Sequence, residues 1–353
     1  MRHQFQEDHL PSVTLIISAY NEEKVIEKKL ENSLKISYPR PLFEILVVSD
    51  ASTDRTDEIV SRYAQRDERV KLLRLENRSG KSVGLNRAAQ VARGDILVFS
   101  DANALYEENA VRQLVKYFHD SRVGYVVGNA RYLSDSDNPA SEHESLYWQY
   151  ETEIKKLESE FYSICVGDGA IYAIRKSLYQ PIDEDDIGDF VHPLIILSKN
   201  YLGVFNTAAV CHEDAAGDYQ KEFYRKRRIV NRSWRAYKKY VGLFNLRDHK
   251  KVLFALFSHK VLKWFNWLLL GLLLISNVVL VVLNPSLFYN LFLLLQVIFI
   301  GLALIGWLAN SFQLKKLQII YLPYFFWLMH LAAMWGVIDD WRGKRYTTWN
   351  HVR

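Results

Sequence analysis

FEILVVS, residues 43–49, runs straight into the polar stretch DASTD at 50–54. Ile45 to Val48 are continuously apolar rather than alternating, the pattern of a strand buried on both faces in a largely parallel, helix-covered sheet. Runs of the same kind stand to either side: VTLIIS at 13–18, VKLLRL at 70–75, DILVFS at 95–100 and VGYVVG at 123–128, with helical patterns between them. The chain therefore reads as α/β. Open sheets of this class hold ligands beyond the carboxyl ends of their strands. The polar residues there, Asn21 and Glu22, Asp50, and Asp101 with Asn103, are the first candidates for chemistry.

Further along, residues 131–145 are rich in Ser, Asp and Glu and read as a surface loop leading into a helix near Glu144–Phe161. A less regular portion at 145–245 holds Gly167-Asp168-Gly169, acids at Asp183–Asp189 and a basic helix. Two cysteines, Cys165 and Cys211, suit neither a disulfide framework nor a Cys-based zinc site, which fits a reducing compartment.

Trp264 to Leu314 carries no charged side chain, and a second run, interrupted only by His330, extends from Leu317 to Ile338. A bilayer-crossing helix needs about 20 apolar residues. The first run is long enough for two crossings with Asn284-Pro285-Ser286 as the turn, and the second fits a third. The expected crossings are 263–283, 287–309 and 318–338 in a membrane region at 263–340, with a basic tail at 341–353. HKKVLFALFSHKVLKW (249–264) mixes cations and apolar residues at helical spacing, so 246–262 is expected to lie in the membrane interface. The amino terminus, MRHQFQEDHL, has no apolar length for a signal peptide or first crossing, which leaves 1–245 as an expected cytosolic domain on the cytoplasmic (inner) membrane.

Lys221 to Lys263 carries fourteen Lys/Arg against two acids, a net +12, whereas residues 1–220 are net −11 in a chain of +5. A basic segment directly before a crossing is drawn to anionic membrane lipids and marks the cytoplasmic side, a reading preferred over nucleic acid. Topology then conflicts with itself. Three crossings would export a tail bearing Arg342, Lys344, Arg345 and Arg353, against the positive-inside tendency. A transporter would need charged groups within the apolar runs, and they hold none.

The order of the polar motifs says more than any one of them: SAYNEE (18–23), SDASTD (49–54), SGKSVGLN (79–86), FSDAN (99–103), GDGA (167–170), IGDF (187–190) and RKRRIV (225–230). Over about residues 11–240 this succession resembles the family 2 glycosyltransferases of GT-A fold, a group that includes cellulose, hyaluronan and chitin synthases and bacterial exopolysaccharide enzymes. The resemblance implies an inverting transfer of sugar from a UDP-sugar to a saccharide or polyprenyl-linked acceptor, in polysaccharide or glycolipid synthesis. It also implies roles. Ala19, Tyr20, Glu22 and Asp50 match the nucleotide-binding segments, with Asp50 at uracil or ribose, and Lys81 stands where the family has a lysine near the diphosphate.

Asp101-Ala102-Asn103 occupies the D-x-D position that binds a divalent metal, magnesium or manganese, against the diphosphate; Asn in place of the second acid removes a charge, and His212 is a further candidate ligand. Asp189 of IGDF matches the general base, with Asp186 as the alternative register. An inverting transfer needs one carboxylate at the acceptor hydroxyl; metal and cations serve the leaving group. Gly167, Asp168 and Gly169 resemble the acceptor-side segment. Arg225 and Arg228 fall in the Q-x-x-R-W position on the diphosphate or product side, with Arg225 for Gln and Ile229 for Trp, so the aromatic platform of processive relatives is missing. Few crossings for a polymer channel imply an oligomer or export partner. An inactive nucleotide-sugar-binding scaffold is the alternative, and the joint presence of Asp101, Asp189 and Arg228 speaks for the enzyme.

Overall fold

The computed structural model describes residues 10–133, 139–214, 218–312 and 318–347. Each apolar run quoted above is a strand: β1 (Val13–Ala19), β2 (Phe43–Ser49), β3 (Val70–Arg74) and β4 (Ile96–Asp101), then, after the short β5 (Leu105–Tyr106), β6 (Val123–Leu133). Helices α1 (Ile26–Leu34), α2 (Thr56–Arg66), α3 (Lys81–Val91) and α4 (Ala110–Val115) alternate with them. After α5 (Pro139–Phe161) come β7 (Tyr172–Arg175), α6 (Gly188–Ser198), β8 (Leu202–Asp214) and α7 (Tyr219–Tyr240). Of the loop expected at 131–145, β6 and α5 take both ends, and 134–138 lies outside the described residues.

The eight strands form one sheet in the order β3-β2-β1-β4-β7-β6-β8-β5. Its first four are parallel. The parallel reading stops there, because β7 inserts antiparallel between β4 and β6, so the sheet is mixed. Apolar cores lie on both faces, one under α1, α2 and α4 and the other under α3 and α6. That double cover is why β1 is buried along its whole length.

The interfacial segment and the first crossing form one continuous helix of 34 residues, Lys250–Leu283. It consists of α8 (Lys250–Leu256), a π-helical turn at Phe257–Val261 and α9 (Leu262–Leu283). Asn284-Pro285-Ser286 is the turn, and the Ser286 hydroxyl caps α10 (Leu287–Ser311) by accepting the Tyr289 N–H at 3.3 Å. Asn277 donates to Gln296 at 3.0 Å between the two helices, satisfying polar groups that hydrocarbon would not.

α11 (Gln318–Trp341) is also long and apolar enough to cross a membrane, yet half of its most apolar window is buried against protein, compared with 6% and 11% for the first two. It runs along α7 in the same direction. Tyr321 stacks on Tyr219 near the start of both helices; at the other end Asp339 takes a two-pronged ion pair from Arg227 at 2.6 and 2.7 Å, and Asp340 pairs with Arg235 and Lys238. The tail continues on the catalytic domain: the Lys344 carbonyl accepts from Asn231 and Arg235, and Arg345 approaches Asp185 at 3.7 Å.

Candidate active site

At the carboxyl ends of β1 and β2 the chain turns through Asn21 and Ala51, both at positive φ. The two loops interlock: the Thr53 N–H donates to the Asn21 side chain at 2.8 Å, and the Glu22 N–H to the Thr56 hydroxyl at 2.8 Å. Asp50 is buried, and its carboxylate accepts the Ser79 and Gly80 N–H groups at 2.7 and 2.9 Å. Gly80, at φ +89°, supplies the left-handed step that aims both amides at one carboxylate. This fixes the start of α3, whose first residue is Lys81.

Beyond β4 a cavity of about 550 Å³ opens. Lys81, Asp101, Asn103, Asp168, Gly169 and Asp189 share its wall. Lys81 pairs with Asp101. A methyl group built on Gly169 would stand 3.4 Å from the Asp189 carboxylate, 3.6 Å from the Lys81 ammonium and 3.8 Å from the Asp101 carboxylate, so three charges converge on the space that the missing side chain leaves open. Burial would lower the Lys81 pKa, but Asp101, with Asp189 and Glu213 behind it, holds the ammonium above its usual range. Asp189 sits in the first turn of α6, and its carbonyl receives the Gly167 N–H at 2.6 Å. Burial, with Asp168 and Asp101 adding to it against the pull of Lys81, raises the Asp189 carboxyl.

Asp168 is tied by the Lys155 ammonium of α5 at 2.7 Å. Arg225, bonded to Glu222 at 2.6 Å, and Arg228 also line the cavity. Burial beside Arg225 lowers the Arg228 pKa, so its charge is held at a cost that an anion would relieve. The Asn103 side-chain oxygen is buried, without a hydrogen-bond partner among the described residues. An unengaged amide oxygen next to an aspartate is a donor pair that suits magnesium or manganese. Among the described residues, no group of three or more His, Cys, Asp or Glu could hold a metal ion, so diphosphate oxygens would have to complete the shell.

The cavity is thus a cleft where cations gather and where the Asp189 carboxylate has no ion pair of its own among the described residues. Residues 14–182 match the family described as Glycosyl transferase family 2. Residues 14–182 are a family 2 glycosyltransferase domain. A probable glycosyltransferase of Bacillus subtilis, YdaM, is 26% identical over 86% of this chain and 72% of its own length. A poly-β-1,6-N-acetyl-D-glucosamine synthase of Staphylococcus aureus is 31% identical over 36% of this chain and 31% of its own. Among solved structures, a mannosyltransferase of Pyrobaculum calidifontis, in complex with GDP-mannose and Mn2+, superposes with a TM-score of 0.71 at 23% identity, over 97% of this chain and 90% of that one. The fold is GT-A, followed by three apolar helices.

Around the glycosyltransferase domain's cavity the expected residues divide. Lys81, Asp101, Asn103, Asp168, Gly169, Asp189, His212, Arg225 and Arg228 line the cavity. Ala19, Tyr20, Glu22 and Asp50 stand outside its wall, beside the loop that carries Lys81, and the Tyr20 ring lies 4.0 Å under the Arg78 guanidinium. Gly167 stands back too, against the Asp189 backbone. Asp186 belongs elsewhere. Its carboxylate accepts from the Asp183 N–H, Lys239 and Tyr240, which ties down the start of α6. His212 lies 3.3 Å from Glu107, and its other ring nitrogen is buried with no partner among the described residues.

Several residues of the site carry no sequence signal of their own. Glu213, the next residue on β8, lines the cavity, and its carboxyl is pushed up to about 7 by burial and then by Asp101 and Asp168. Trp148 of α5 stacks on Tyr132 at 4.7 Å in the cavity wall, an aromatic surface distinct from the missing Trp of Q-x-x-R-W. Trp234 instead packs on Tyr237 and Phe265 at the membrane junction. Lys29 is buried beneath the Asp101 loop, bonded to Ser100 and the Ala104 carbonyl, with its pKa lowered by burial to about 8.

Proposed function

We propose that the chain moves a sugar from a nucleoside diphosphate donor, a UDP-sugar, to a hydroxyl of a saccharide or polyprenyl-linked acceptor at the cytoplasmic face of the inner membrane, with inversion. The observation that carries this is the convergence of Asp189, Lys81 and Asp101 on the space beside Gly169. Asp189 takes the proton of the acceptor hydroxyl as that oxygen bonds to the anomeric carbon and the carbon–oxygen bond to the diphosphate breaks. Lys81 and Arg228 stabilise the charge that the departing diphosphate gathers. Asp101 and Asn103 would hold a divalent cation, which when bound neutralises part of that same charge. The nucleotide sugar and Mn2+ in the mannosyltransferase structure support a donor and cofactor of these classes, and the glucosamine-polymer synthase supports a saccharide acceptor. The test is transfer by the purified chain in lipid vesicles from a panel of labelled UDP-sugars and GDP-mannose, with lipid-linked and polymeric products separated. Transfer from GDP-mannose alone would overturn the uridine reading, and no transfer from any donor would overturn the enzyme.

For topology we infer two full crossings, α9 and α10, with α11 lying along α7 and the tail on the catalytic side. The ion pairs of Asp339 and Asp340 with α7 support this. A single cysteine at position 343 should resist a membrane-impermeant maleimide added from outside; labelling there would restore three crossings.

A further inference from the structure

Ahead of α7, the described residues hide most of their large apolar side chains, whereas Tyr224, Leu243 and Leu246 stand exposed after its start. Among the described residues from 10 to 133, Val91 is the one large hydrophobic that stands exposed, whereas five follow within residues 146–162: Leu146, Tyr150, Leu157, Phe161 and Tyr162. The first four lie on α5 at spacings of four, seven and four, within about 60° of one another at ~100° per residue. They make one stripe. Isolated exposed apolar residues need no explanation, but a contiguous stripe marks a contact surface.

The opposite face of α5 is polar and wholly engaged. Glu151, Lys155 and Glu158 are buried there; Lys155 holds Asp168, and His259 of the π-helical turn sits between Glu151 at 3.2 Å and Glu158 at 2.7 Å. These bonds fix which side of α5 faces outward. They also lock α5 to the helix that becomes the first crossing. On that helix Phe254 and Phe257 are exposed, within two turns of the Lys251 that lies over Phe161, and the exposed apolar side chains of α9 follow them. Cations border it: Lys251 lies over Phe161 and Tyr162 at 5.7 and 5.1 Å, and Lys263 over Tyr150 at 5.5 Å, while Glu153 lies along its other edge. Aromatic rings mixed with lysines, leading into an apolar helix, are the composition of a membrane–water boundary.

We propose that the Leu146–Phe161 stripe of α5 is immersed in the headgroup–acyl boundary of the bilayer beside α8. The helix carrying Trp148, which walls one side of the cavity, is then a membrane-surface element whose far side touches lipid, and the site opens at the level of the headgroups. The occupant is lipid rather than a second protein, because Lys251 joins the stripe to the helix whose surface lipid must cover if α9 crosses. The inference rests on that crossing and not on the identity of the donor.

The full chain in phospholipid nanodiscs, with a bimane on single cysteines at positions 157, 275 and 68, tests it. Position 68 is an exposed aqueous reference, and position 275 on α9 reports independently whether the crossing is in the bilayer. Bimane at 157 should be shielded from iodide relative to 68 and quenched by lipids brominated near the carbonyl end of their chains, with 275 quenched by deeper bromines. Iodide quenching at 157 equal to that at 68, with 275 still lipid-quenched, would overturn the proposal alone. Shielding from both quenchers at 157 would also overturn it, in favour of a protein cover such as a second copy.

Discussion

Asp189→Asn should lower transfer by at least 100-fold, the lower bound of the ~10²–10⁴-fold that a general base contributes. The amide keeps the size of the side chain and its place in the first turn of α6, so the cavity and its cations are undisturbed, and UDP binding by calorimetry should shift little. Because burial and the neighbouring aspartates raise the carboxyl, it loses its proton at a higher pH than a free aspartate. The acid limb of kcat/KM should therefore lie above the ~3.9 of the free group, with the rate rising as pH rises through it. Asp186→Asn offers the contrast. That carboxylate is occupied by Lys239, Tyr240 and a backbone amide, so its loss should cost transfer less than about tenfold, ~1.4 kcal/mol of barrier. An inactive Asp186→Asn beside an active Asp189→Asn would move the base by three residues.

Asp101→Ala should lower transfer by roughly 10²–10³-fold, the scale of removing one preorganised stabiliser of transition-state charge. The substitution also takes from Lys81 its ion pair with Asp101. Chelation of divalent metal should act in the same direction, and adding the two should cost little more than either. Asn103→Asp separates them: a second carboxylate should tighten Mn2+ binding, measured by electron paramagnetic resonance, while transfer stays within about an order of magnitude. Unimpaired transfer in excess chelator would remove the metal from the mechanism.

The parallel half of the sheet was legible because continuous apolar runs such as Ile45–Val48 need helices on both sides, and the polar residues after β4 and at the start of α6 are where such a sheet presents its ligands. The mixed half was not. Nothing local to Tyr172–Arg175 says that it inserts antiparallel between β4 and β6, since strand order is set by long-range packing. His212 stood out because histidine suggests a ligand, while Glu213 beside it belongs to no motif; both line the cavity, and that follows from where β8 ends in the sheet and not from residue type. Trp148 was out of reach for a similar reason, since it arrives from a helix far from every motif. Asp50 shows the converse: it stands directly after β2, where the apolar run ends, but its bonding to Ser79 and Gly80 depends on a turn thirty residues away.

α7 carries most of the chain's excess charge, yet little of that charge faces water or lipid. Arg228 and Arg232 face the cavity; Arg227, Arg235 and Lys238 are matched by Asp339 and Asp340, Arg225 by Glu222, and Lys239 by Asp183 and Asp186. A stretch that looks like a polycation on paper is thus a rod whose counterions are covalently part of the same chain. Dissolved salt screens such partly buried pairs far less than exposed ones. An ion-exchange resin or an anionic vesicle would accordingly meet a surface much closer to neutral than the amino-acid count announces.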